Sequence, residues 1–110
     1  MESEKIQEIA FNIILYSGNA RSLTHEAFNA MAEGNYTEAD EKLKEANDAL
    51  NQAHNSQTGL LQEYASGEKI EMEVILVHAQ DHLMTTMTLM EMATELKRVY
   101  QKLEQLEQKG

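Results

Sequence analysis

A chain of 110 residues in which 42% of side chains are apolar can fill one modest core, and residues 1–110 are read as a single domain. It contains no Pro and only 5 Gly, and it is rich in Ala, Leu, Glu, Gln, Lys and Met, which lose little side-chain freedom in a helix, so an all-α fold is expected. With 19 Asp and Glu against 9 Lys and Arg, the formal charge of −10 argues against nucleic-acid binding, and the absence of Cys rules out a disulfide framework or thiolate metal ligands.

The first helix is expected from about Ser3, because Ile6, Ile9, Ala10, Ile13, Ile14 and Ser17 recur at steps of three and four. Gly18-Asn19 is expected to kink it. Ala20, Leu23, Ala27, Phe28, Ala30 and Met31 resume the period to about Ala32, where Gly34-Asn35 provides a stop. Thr37-Glu38-Ala39-Asp40 places an acid three residues after a hydroxyl, a start signal for a second helix. Its inner face is read as Ala39, Leu43, Ala46, Leu50, Ala53, Gln57, Leu60, Leu61 and Tyr64, ending at the break Ser66-Gly67-Glu68-Lys69.

The third helix, about Glu71 to Gln108, carries the clearest pattern. Ile75, His78, His82, Thr85, Leu89, Met92, Leu96, Val99, Leu103 and Leu106 alternate steps of three and four, a heptad seam that predicts packing against other helices. A helix about 55 Å long, at roughly 1.5 Å per residue, outruns a small three-helix domain, so copies of the chain are expected to associate through it. No stretch approaches membrane-spanning length and the N-terminus lacks a secretory pattern, so no direct membrane insertion and a cytoplasmic location are expected.

His78 and His82 stand one turn apart on one helix face, in seam positions otherwise held by Leu, Met and Val. A titratable ring there carries a desolvation cost that packing does not reward. Three readings follow. The rings could be core histidines bonded to Gln80, Gln57 or Thr85 in a non-catalytic helical adaptor. They could bind a metal such as Zn²⁺ with Asp81, although His78-Ala79-Gln80-Asp81-His82 lacks the Glu placement of HExxH. Since no Ser nucleophile elbow, Cys or phosphate-binding loop is present, a histidine could instead itself be the nucleophile, as in phosphohistidine formation. Of the remaining histidines, His25 is read as solvated and His54 as lying in a polar patch near the site without accepting phosphate. The Met residues are read mainly as core filling and the acidic runs as solvated faces.

The run Ile75-Leu76-Val77-His78-Ala79-Gln80-Asp81-His82-Leu83-Met84-Thr85-Thr86 is specific, and two segments support it: Ala53-His54-Asn55-Ser56-Gln57-Thr58-Gly59-Leu60-Leu61 and Tyr16-Ser17-Gly18-Asn19-Ala20-Arg21-Ser22. Together they resemble the lactose/cellobiose IIA family of the bacterial phosphoenolpyruvate-dependent sugar phosphotransferase system, over almost the whole chain. The resemblance implies a phosphoryl carrier that receives phosphate from HPr on His78 and passes it to a cysteine of the cognate IIB component, while membrane IIC imports a β-linked disaccharide of the lactose, cellobiose or chitobiose class. It implies an antiparallel three-helix bundle that assembles as a homotrimer, a nine-helix bundle with parallel third helices. It also implies a Mg²⁺ or similar ion at the trimer axis, held by Asp81 from each of three chains. His82, Gln80 and Gln57 are then expected as active-site neighbours.

Overall fold

A computed structural model describes residues 1–109 as three helices: α1 (Ser3–Ala32), α2 (Tyr36–Ala65) and α3 (Val74–Lys109). The short connections make α1 and α2 antiparallel, and α3 runs back alongside α1, giving an up-down-up bundle 62 × 20 × 19 Å in extent. α1 packs against both other helices, most extensively against α2, while α2 and α3 touch least.

Both turns close in the same way. At the end of α1, Gly34 (φ 81°) donates to the Met31 carbonyl at 3.0 Å and Asn35 to that of Ala30 at 2.8 Å. At the end of α2, Gly67 (φ 99°) donates to Tyr64 at 3.1 Å and Glu68 to Glu63 at 3.1 Å. These are paired Schellman closures, which need a left-handed residue after the cap and so select glycine.

α1 keeps its expected span, and the starts of α2 and α3 change. α1 runs unbroken through Gly18-Asn19, because Ser17 and Ala20 on either side are buried and outweigh the roughly 1 kcal/mol propensity cost of one glycine. α2 begins at Tyr36 directly after the Schellman turn, with Asn35 at the cap position and no side-chain cap bond, so Thr37 lies inside the first turn and does not cap it. α3 begins at Val74, three residues later than expected, because Glu68 to Glu73 are tied to the start of α1. The Met1 ammonium bonds the Glu68 carboxylate at 2.6 Å and the Lys69 carbonyl at 2.8 Å, and Ser3 Oγ donates to Glu73 Oε1 at 3.1 Å.

The interior is built mainly of alanine. Ala10, Ala20, Ala27, Ala39, Ala46, Ala53, Ala79 and Ala93 are fully buried, interleaved with Ile6, Ile13, Met31, Leu76 and Leu83. Leu61 and Tyr64, expected on the inner face of α2, lie outside at 55% and 68% exposure. The largest correction concerns α3. Its face toward its own chain is Leu76, Ala79, Leu83, Thr86 and Ala93, whereas the heptad seam read from the sequence lies around the other side of the helix. Ile75, His82 and Leu89 along that seam are half-buried, but Met92, Leu96, Val99, Leu103 and Leu106 are exposed. α3 therefore carries two periodic faces, and only one is used within the chain.

Leu83 fills the inner face with no exposed surface, so Leu83→Ala is expected to lower the unfolding free energy by about 2–5 kcal/mol in chemical denaturation, from lost burial plus the cavity left behind.

Candidate functional site

The site is assembled where α3 passes α1. His78 and His82, one turn apart, lie with their ring planes 4° from parallel and centroids 6.2 Å apart. Their surroundings differ. His78 is exposed, and it lines a shallow depression with Met72, Glu73, Val74, Val77 and Asp81. His82 is half-buried and turned toward α1, where a methyl group placed on Gly18 would lie 3.6 Å from its Nε2. Gly18 therefore keeps that edge of α1 low beside the ring.

One turn further on, Arg21 of α1 reaches across to α3, and its Nη2 donates to Thr85 Oγ1 at 2.9 Å. The Thr85 hydroxyl in turn donates back to the Asp81 carbonyl at 2.9 Å, with a longer approach to that of His82 at 3.2 Å. Arg21 Nε is buried and has no partner among the described residues. Burial lowers the His82 pKa below its ordinary value of 6.5, and the Arg21 guanidinium and the neighbouring His78 ring push it the same way against a smaller opposing pull from Asp81. His82 is thus held as the neutral imidazole, with one donor and one acceptor nitrogen.

Asp81 is exposed on the outer side of α3, in line with Val74, Thr88 and Met92. Gln80, two residues from His78 and so about 200° around the helix, is half-buried on the other side. Gln57 is half-buried on α2, and no hydrogen bond joins either glutamine to the two rings among the described residues. His54 faces a separate groove of about 310 Å³ between α2 and α3, with Asn47, Asn51, Met87 and Met90. His25 packs edge-on against Phe28 at 5.7 Å, away from the pair.

The structure thus sets His82 beside His78 and places Asp81 in the depression that His78 lines, on the opposite side from His82, and it leaves Gln80, Gln57 and His54 apart from the rings. It adds a place beside His82 for Gly18 and Arg21, which lie in the segment 16–22 but have no part in the site on sequence grounds, because nothing in the periodicity of α1 says which turn of α3 it faces. Among the described residues no three of His, Cys, Asp and Glu converge as a metal site within one chain, so the single-chain metal reading lacks its donor set. The exposure of His78 also removes the reading of both rings as core histidines.

Comparison with known proteins places this geometry. Residues 8–101 match the family described as "PTS system, Lactose/Cellobiose specific IIA subunit". The chain is 46% identical over 108 residues to the lichenan-specific phosphotransferase enzyme IIA component of Bacillus subtilis (strain 168), covering 98% of this chain and 96% of that protein. It superposes on the crystal structure of PtcA from S. mutans with a TM-score of 0.91 and 62% identity, covering 92% of this chain and 99% of the other. It also superposes on the IIA(chitobiose) chain solved in complex with HPr from Escherichia coli, with a TM-score of 0.78, 36% identity and coverage of 94% and 99%.

As pH falls from about 7 to about 5, the unfolded chain protonates its histidines near their ordinary value while folded His82 resists, so its contribution to stability is full above about 6.5 and is lost on acidification. His82→Gln is expected to flatten the melting temperature over that window, measured as thermal unfolding against pH.

Proposed function

The chain belongs to the lactose/cellobiose-specific IIA family of the sugar phosphotransferase system, and from that membership we propose that it carries a phosphoryl group on His78 between HPr and the cysteine of a cognate IIB component. The observation that carries this reading is the pairing of an exposed His78 ring with a half-buried, neutral His82 stacked beside it. A nucleophilic imidazole must offer a lone pair to a docked donor while its own orientation is constrained, and exposure on a helix face next to a packed ring provides both.

In the first step a ring nitrogen of His78 forms a bond to phosphorus as the phosphorus–nitrogen bond of the HPr histidine breaks, and the released HPr imidazole takes a proton. In the second, the IIB thiolate attacks phosphorus, the bond to His78 breaks, and His78 is left neutral after proton uptake. The protein's part is positioning in line between two docked nucleophiles. The net charge of −10 favours partners that present positive patches and complexes that form fast and part fast. The sugar, a β-linked disaccharide, meets IIC and IIB and not this chain. Among the described residues no helix is long and apolar enough to cross a membrane, in keeping with a cytoplasmic carrier.

We propose further that the unused stripe of α3 is the axis of a homotrimer, a nine-helix bundle. Met92, Val99, Leu103 and Leu106 supply the apolar area, and their exposure in the single chain supports that reading. Asp81 lies on the same stripe, so three copies would bring three carboxylates together. That donor chemistry fits a hard divalent cation such as Mg²⁺, whose charge would offset their repulsion.

Incubation with phosphoenolpyruvate, enzyme I and HPr, followed by intact-mass analysis, is expected to show one acid-labile phosphate on the wild type and none on His78→Gln. A wild-type chain that stays unmodified while HPr is charged would sink the reading. Chelation with EDTA is expected to lower the thermal stability of the wild-type trimer and to leave Asp81→Asn unchanged, as followed by sedimentation and melting.

A further inference from the structure

A phosphoryl group on His78 is a dianion placed on an acidic protein, beside Glu73 and Asp81 in the same depression. Some positive charge has to meet it, and the basic residues of this chain are distributed unevenly. Lys42 pairs with Glu26, Lys97 with Asp40, Lys69 with Glu71 and Arg98 with Glu95, while Lys102 and Lys109 lie on the last turns of α3. Lys5 and Lys44 lie on exposed faces of α1 and α2, and Arg21 differs from all of these in standing between α1 and α3 beside the His82 turn. It meets no carboxylate among the described residues, and it is held by a neutral hydroxyl, Thr85 Oγ1, on the turn that follows His82.

Its remaining donors are poorly used. Nε is buried and without a partner, which is uncommon for a polar atom removed from water and marks a group built for a contact that the resting chain does not make. A guanidinium is a planar fork of donors that fits phosphoryl oxygens two at a time. His78 and Thr85 are two helical turns apart, about 10 Å of rise, and the His82 ring lies between them with its centroid 6.2 Å from that of His78. On the α1 side of this path Gly18 contributes no side chain.

We propose that Arg21 is the phosphoryl-binding cation of the charged state, resting on Thr85 when His78 is free and turning its fork onto the phosphoryl oxygens when His78 is modified. The inference rests on the phosphohistidine reading above and assigns the residue that stabilises that species. Arg21 favours retention of the phosphoryl group on this chain and so sets how it divides between HPr and His78. Loss of the cation shifts that balance back toward HPr.

The test is the equilibrium distribution of phosphate between HPr and this protein, read by ³¹P NMR at neutral pH for wild type, Arg21→Gln and Arg21→Lys, with helicity checked by circular dichroism. Glutamine keeps a donor for Thr85 without the charge, and it is expected to shift the ratio about tenfold toward HPr, the scale of one charge-assisted bond. Lysine restores charge without the fork and is expected to recover part of the shift. A purely structural role for Arg21 would leave this ratio unmoved, because docking defects slow the approach to equilibrium without changing the relative stability of the two phosphohistidines. A ratio within twofold of wild type in Arg21→Gln, with His78 still phosphorylated, overturns the inference and leaves the carrier role standing. Failure of the wild type itself to accept phosphate removes both.

Discussion

Close approach of α1 to its neighbours through small side chains governs the rest of this structure. Alanine at Ala10, Ala20, Ala27, Ala46, Ala53, Ala79 and Ala93 lets the helix backbones come near one another, and each contact buries little area by itself. Cohesion is therefore spread along the whole bundle, with Ile6, Ile13, Leu76 and Leu83 as its few large buried groups. Phe11, Leu15, Met92, Val99, Leu103 and Leu106 lie on helix faces turned away from this interior and remain exposed.

The same proximity builds the site. Because α1 lies close to α3, Gly18 comes beside the His82 ring and Arg21 reaches Thr85. Burial and positive charge from that side keep His82 neutral, whereas His78, one turn earlier, remains in water. Two chemically identical side chains thus receive different environments from a rotation of about 40° around the helix. The proposed carrier role uses that asymmetry, with one ring free to react and the other holding its place.

Charge ties the site to its partners. An acidic surface favours approach by a basic protein, and under the proposed carrier role it also makes a phosphorylated His78 harder to hold. Arg21, bonded to Thr85 between the helices, is the cation proposed to offset that cost. The outer stripe of α3 meets the related problem of exposed apolar area, with Asp81 and Glu95 as acids among Val74, Thr88, Met92 and Val99.

The sequence alone determined the class of fold, the three helices, their glycine stops and the histidine pair, because these depend on local periods of three and four and on the left-handed backbone that glycine permits. It also led to the family, through the motif around His78. It did not determine which periodic stripe of α3 faced inward. Leu76, Ala79, Leu83, Thr86 and Ala93 have the same spacing as the seam beginning at Ile75, and hydrophobicity favoured the larger residues of that seam. The tertiary structure decided the matter, turning Leu76, Ala79, Leu83, Thr86 and Ala93 toward the rest of the chain. It likewise decided that Arg21 and Gly18 stand beside His82 and that Gln80 does not, because the register between α1 and α3 follows from packing along both helices and appears in neither alone.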